Sequence, residues 1–108
     1  MNLSTASKDS RDWPFLDKVS ELTAAGIIVV SAIGNDGPQH GTSENPGDLP
    51  QVIGVGSLSS TGDVAYFSSR GMTKRALLEG AGFPNPDVLV LGEGISGVSL
   101  TVGKCEKK

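Results

Sequence analysis

What this chain lacks narrows its chemistry first. Cysteine occurs once, at Cys105, so neither an intramolecular disulfide nor a multi-cysteine zinc site can form, and the redox compartment is left open. Histidine also occurs once, at His40, so any imidazole chemistry rests on one position. Nine Lys and Arg stand against twelve Asp and Glu with the signs interspersed, and no basic block exceeds the short end from Lys104 to Lys108. That pattern offers no electrostatic footprint for nucleic acid, so phosphate backbones are not expected partners. No run approaches the ~18 apolar residues of a membrane span, and "MNLSTASKDSRDW" lacks a basic start followed by an apolar region of about 7 to 15 residues. Neither an address nor an anchor is expected within these residues. At 108 residues the chain is one domain or part of one, able to hide roughly two-thirds of its unfolded surface around a single core.

What is present reads as alternating helix and strand. In "WPFLDKVSELTAAG", Phe15, Val19 and Leu22 recur at helical spacing and Leu16 widens the stripe, while Asp17, Lys18 and Glu21 fall on other faces. Pro14 suits the first helical position, Asp17 is expected near the positive end of the helix dipole, and Gly26 can adopt the left-handed conformation that stops a helix. "IIVVSAI" follows at once. It is continuous, β-branched and too short for a helix, the pattern of a parallel strand buried on both faces. "QVIGVGS", "VAYFSS" and "DVLVLG" read as further strands, "MNLS" as the trailing end of another, and "TKRALLEG" as a short helix. A strand, helix, strand order implies right-handed crossovers and an α/β class, a mostly parallel sheet with covering helices. Helices are scarce after Ser57, so part of the sheet is expected to lack cover.

The residues from 31 to 47, "SAIGNDGPQHGTSENPG", hold the chemistry. In open parallel sheets ligands bind beyond the carboxyl ends of the strands, and Gly34-Asn35-Asp36-Gly37 follows such a strand directly. Gly34 lets backbone approach a ligand, and the Asn35 amide offers two donors that no pH removes. An asparagine so placed can stabilise an oxyanion in acyl transfer; equally, Gly-Asn can be a turn that merely ends a strand. His40-Gly41-Thr42 imitates the phrase around a catalytic base.

Taken together, "NLS" at 2–4, "AAGIIVVSAIGNDG" at 24–37, "ENPGDLPQVIGVGS" at 44–57, "AYFSSRG" at 65–71 and "PDVLVLGEG" at 86–94 resemble, in order and spacing, the second half of a subtilisin-like serine protease domain. "LDKVSELTAAGIIVVSAIGNDGP" and "FSSRGMT", with a longer insertion before "PDV" than bacterial subtilisins have, look closest to the site-1 protease branch of that family. The resemblance implies a partial subtilisin-like fold over residues 1–108, lying between the catalytic His and catalytic Ser regions. It assigns Asn35 the oxyanion-hole role. Ser4, Thr5 and Ala6 match the strand end that pairs with substrate backbone, although Thr5 and Ala6 depart from the family's usual Leu-Gly. Ser31, Ala32, Ile33 and Gly34 match one wall of the specificity pocket, and Asn45, Pro46 and Gly47 a loop near its base.

None of these residues attacks a carbonyl. The family's triad runs in the order Asp, His, Ser, and the resemblance places all three outside this chain, whose last residues "GKCEKK" would precede the Gly-Thr-Ser turn that carries the nucleophile. His40 lies five residues after Asn35, not on the upstream helix where the family's base sits, and a base must reach a nucleophile and be oriented by a carboxylate. It is expected to be an exposed loop residue without a catalytic part. Arg70 is expected to brace a turn by bonding backbone carbonyls, and Asp36 either to tune the pocket or to be a solvated turn acid. Asn2-Leu3-Ser4 fits a glycosylation sequon but sits on a strand end, a poor acceptor. Gly103-Lys104 fails as a phosphate loop, because Val98 stands where that motif needs glycine and Cys105 where it needs Ser or Thr. Cys105 is expected to be a free or intermolecularly paired thiol.

The function expected is therefore a fragment of a subtilisin-like serine endopeptidase, inactive alone, with a peptide or protein substrate in the complete enzyme. The alternative is a non-catalytic peptide- or protein-binding module that keeps the cleft without the nucleophile. No cofactor is expected; calcium is possible in the family, but no carboxylate cluster here matches a calcium loop. Self-association through an exposed sheet edge is expected, and the resemblance implies the secretory pathway.

Overall fold

The computed structural model describes residues 1–9, 11–73, 82–98 and 105–107. The helix α1 spans Trp13–Ala24, with Pro14 in its first turn. Leu16 and Val19 are buried on one stripe, and Phe15 and Leu22 pack beside them. Asp17 lies past the first turn, which carries no acidic residue, so its expected dipole contribution is not realised there. Asp12 occupies the N-cap position without a side-chain cap bond. Gly26, at φ +83°, ends the helix, and Ile27 N–H closes back on the Leu22 carbonyl at 3.1 Å.

Four short strands follow one another across a single sheet: β1 (Asn2–Leu3), β2 (Val30–Ala32), β3 (Ile53–Leu58) and β6 (Val88–Leu91), hydrogen-bonded in that order and parallel throughout. Leu3 stands beside Ser31, Ser31 beside Gly54, and Val55 beside Val88. Two small antiparallel pairs complete the described strands, β4 (Gly71–Met72) with β5 (Pro84–Asn85) and β7 (Ser96–Val98) with β8 (Cys105–Lys107). The class is α/β, a mostly parallel sheet with one helix among the described residues.

The core sits on one side of this sheet. Val29, Leu49 and Val52 join Leu16 and Val19, with Leu3 packed against them. Each buried aliphatic side chain there contributes about 1.5–3 kcal/mol relative to exposure. Alternation along β2 explains the placement: Val29, Ser31 and Ile33 are buried, whereas Ile28 and Ala32 on the other face are exposed. "IIVVSAI" is thus covered on one face, not on both as its composition led one to expect. The opposite face leaves Ile28, Ile53, Val88 and Val90 exposed, because α1 packs on one side only.

"VAYFSS" differs more sharply from its expected strand. Val64 makes an isolated bridge with Leu58, and the chain then turns, Ser68 N–H bonding the Ala65 carbonyl at 2.9 Å. Burial does alternate here, with Val64 exposed, Ala65 buried and Tyr66 76 % exposed, but beyond the single bridge no ladder forms among the described residues. The segment crosses the strand ends and clasps the loop after β2. "TKRALLEG" lies outside the described residues.

Candidate active site

A groove of about 490 Å³ opens at the carboxyl ends of β1, β2 and β3. Ser4, Ser31, Ala32, Gly34 and Asn35 line it from the two segments expected to form a cleft, with Val55 and Phe67 among the apolar residues beneath. Asn35 is exposed there, and no hydrogen bond among the described residues ties up its side-chain amide. Both of its N–H donors are available to a ligand.

The backbone that presents Asn35 is fixed from several sides. Gly34 has φ +110°, a conformation that side chains disfavour, and a Cβ there would stand 2.7 Å from Glu44 Oε2 and 2.9 Å from Ser69 Oγ. The Gly34 carbonyl accepts from Ser69 N–H at 3.2 Å, Asp36 N–H donates to Ser69 Oγ at 3.0 Å, and Gly37 N–H donates to the Phe67 carbonyl at 2.9 Å. Glu44 N–H donates to the Ile33 carbonyl at 2.9 Å. Arg70 braces the clasp as expected, its guanidinium donating to the carbonyls of Ala65 at 2.7 Å and Ser68 at 3.1 Å.

The other expected site residues are divided. Ile33 is 1 % exposed and sits among core side chains, behind the wall to which Ser31, Ala32 and Gly34 belong. Thr5 and Ala6 turn away from the groove into a smaller hollow of about 170 Å³, shared with Ser7, Asp12, Phe15 and Asn45. Asn45, Pro46 and Gly47 are buried directly behind the wall: a Cβ on Gly47 would stand 2.7 Å from the Ala32 carbonyl oxygen. Asn45 Nδ2 donates to the Asp9 carbonyl at 2.6 Å, and Asn85 Nδ2 to the Gly47 carbonyl at 3.0 Å. These residues buttress the groove from behind.

Two groups escaped the sequence reading. Glu44, only 7 % exposed, lies under Gly34, and Lys8 forms a 2.6 Å ion pair with Asp36. The Asp36 carboxylate, by hydrogen bond and by charge, holds the Lys8 ammonium above its ordinary pKa against a small desolvation cost, and Glu44 adds to this. A charged residue flanked by Ser and Asn-Pro gives no sequence signal of burial, and an ion pair across 28 residues gives none of proximity. His40 is exposed, as expected, its backbone bridging to Arg70. Gly41-Thr42-Ser43 has the letters of a nucleophile turn, yet Ser43 is wholly buried and unable to meet a substrate. Among the described residues no group of three or more His, Cys, Asp or Glu could hold a metal ion, and no helix is long and apolar enough to cross a membrane.

The sequence profile of the Subtilase family matches residues 1–107. The chain belongs to the subtilase family. It is 50 % identical over 103 residues to the human membrane-bound transcription factor site-1 protease, and 48 % identical over 103 residues to the subtilisin-like protease SBT6.1 of Arabidopsis thaliana. Each alignment takes in 95 % of this chain and 10 % of the relative, so the chain spans about a tenth of the length of these curated relatives. Among solved structures, sphericase superimposes with a TM-score of 0.71 at 27 % identity, over 89 % of this chain and 32 % of that one. The expected likeness to the site-1 protease branch and the partial subtilisin-like fold are both found.

Proposed function

We propose that this subtilase segment supplies the electrostatic and substrate-binding part of a serine endopeptidase site, between the regions that carry the catalytic His and the catalytic Ser, and that it hydrolyses nothing alone. One observation carries the reading: Asn35 stands exposed at a groove beyond the strand ends, its side-chain donors unengaged, on a backbone locked by Gly34, Glu44 and the Phe67–Arg70 clasp. Preorganised donors that need not move as charge develops are what oxyanion stabilisation requires. The acyl oxygen of a peptide substrate, negative in the tetrahedral intermediate, would accept from the Asn35 amide. Ser4 would pair with substrate backbone, and Ser31, Ala32 and Gly34, backed by Ile33 and buttressed by Asn45 to Gly47, would wall the side-chain pocket.

Among the described residues the nucleophile and its base have no counterpart. His40 is exposed in its loop and Ser43 is enclosed. In a subtilisin, loss of the triad costs roughly 10⁶ in kcat. The isolated chain should therefore show neither peptide hydrolysis nor labelling by a serine-directed covalent probe. In a complete peptidase domain carrying this segment, Asn35→Ala should lower kcat by about 10²–10³ with KM little changed, a magnitude measured on a subtilisin. Stoichiometric labelling of the isolated chain, or an unaltered kcat in the Asn35 variant, would overturn the reading.

A further inference from the structure

One buried serine brackets Asn35. Ser69, with no exposed surface, donates its backbone N–H to the Gly34 carbonyl at 3.2 Å and accepts the Asp36 N–H on Oγ at 3.0 Å. The Gly34 carbonyl belongs to the peptide group before the Asn35 Cα and the Asp36 N–H to the peptide group after it. With both planes held, the direction of the Asn35 Cα–Cβ bond is set.

Ser69 is held in its turn. β2 pairs with β3 only as far as Val55, so Ser57, two residues on and facing the same edge of β3, lies past the end of that ladder. The crossing segment fills the place: Ser57 N–H donates to Ser68 Oγ at 3.0 Å, and Ala65 N–H donates to the Ser57 carbonyl at 2.9 Å. The Arg70 guanidinium then fastens the carbonyls of Ala65 and Ser68 on either side. Ser69 is thereby referred to the sheet, and the loop that leaves β2 is referred to Ser69.

We propose that Ser69 is a positioning residue for the oxyanion donor, its hydroxyl setting, through the Asp36 N–H, the direction in which Asn35 presents its amide to the groove. The residue is enclosed and acts only through that loop. Alanine would keep the N–H bond to Gly34 and delete the hydroxyl bond, freeing the Asn35–Asp36 peptide group to turn while Gly37 N–H still anchors the loop to the Phe67 carbonyl. A reacting group misplaced by about 1 Å costs on the order of 10² in rate, and removing an oxyanion donor outright costs about 10²–10³. Ser69→Ala should therefore lower kcat roughly 10- to 50-fold with KM little changed.

This inference rests on the oxyanion reading of Asn35, and a double-mutant cycle in the complete peptidase domain carrying this segment separates the two. For the parent, Ser69→Ala, Asn35→Ala and the double variant, kcat and KM are measured on a peptide amide beside the denaturation midpoint. Ser69→Ala should lower kcat in the parent yet change it by less than about twofold in the Asn35→Ala background, where nothing is left to position. Ser69→Cys, which keeps a weak acceptor at nearly the same size, should restore part of the loss, and it carries the cycle if the alanine variant does not fold. Val19→Ala, in the core beneath α1, is the control for stability alone: it should lower the midpoint and leave kcat within about twofold. An unaltered kcat in Ser69→Ala, equal losses in both Asn35 backgrounds, or an equal loss from Val19→Ala overturns the positioning role and leaves the Asn35 reading intact. An unaltered kcat in Asn35→Ala overturns that reading, and the role of Ser69 with it.

Discussion

Two phrases separated by two residues, Gly34-Asn35-Asp36-Gly37 and His40-Gly41-Thr42-Ser43, both carry the letters of a hydrolase site, and the fold treats them oppositely. The first leaves β2 over a buried carboxylate, and a crossing segment fastens it by two backbone hydrogen bonds and a third to the Ser69 hydroxyl. Its functional side chain is left unengaged on a rigid support. The second also touches that segment, with Gly41 and Thr42 N–H both directed to the Arg70 carbonyl at 2.9 and 3.3 Å and Thr42 Oγ1 accepting from Arg70 N–H at 3.1 Å. There, however, the bonds end with the histidine in solvent and the serine sealed inside. Anchoring is common to both. What separates them is which side chain the anchored backbone delivers to an open groove.

Adding one methyl group at Gly34 tests the anchored phrase most directly. Left-handed backbone disfavours an L side chain by about 1–2 kcal/mol, and the added carbon would also press on the Glu44 carboxylate and the Ser69 hydroxyl. Gly34→Ala should lower stability by about 2–4 kcal/mol, read as a drop in the denaturation midpoint at unchanged m-value. Gly41, also at positive φ but with open space around it, gives the internal control: Gly41→Ala meets the backbone cost alone. Equal losses at the two positions would mean that the Glu44–Ser69 enclosure does not fix Asn35.

How much of this was legible beforehand follows from the range of each interaction. The helix over Trp13–Ala24 and the parallel strands were readable because their apolar periods are local, and Asn35 was readable because it follows a strand by three residues. The Glu44 enclosure was not, since it depends on a glycine ten residues away and on Ser69. "VAYFSS" misled because a β-rich composition does not say whether a segment joins the ladder or crosses its end. One-sided cover of β2 was hidden for a similar reason: a run of Ile and Val looks the same whether both faces or one are packed.

The open sheet face offers a second, smaller test. Ile28 is 69 % exposed, and Ile53, Val88 and Val90 are also exposed on that side of the sheet, while among the described residues β1 is an edge strand. Apolar patches and free edges of this kind drive association. The 108-residue chain should sediment as more than a monomer at tens of micromolar. Ile28→Lys should shift it toward monomer, whereas a charge at an exposed position of α1, as in Ala24→Lys, should not. A monomer with a sharp thermal transition would show that the open face is tolerated without a partner.

The smallest effect belongs to His40, and its smallness is the point. An imidazole that served as base would lose several orders of magnitude in kcat on replacement, because its proton transfer and its grip on the nucleophile vanish together. His40 can lose neither. Its side chain is in solvent, and the nearest phrase with the letters of a nucleophile turn holds a serine with no exposed surface. His40→Ala should leave stability within about 0.5 kcal/mol, as surface substitutions do, and in a complete domain should leave kcat within about twofold. The backbone bridge to Arg70 survives the change, since it needs no side chain. A loss of activity approaching that of Asn35→Ala would mean that the loop moves in the complete enzyme to bring His40 to the substrate. The contrast between the two phrases would then belong to this conformation and not to the sequence.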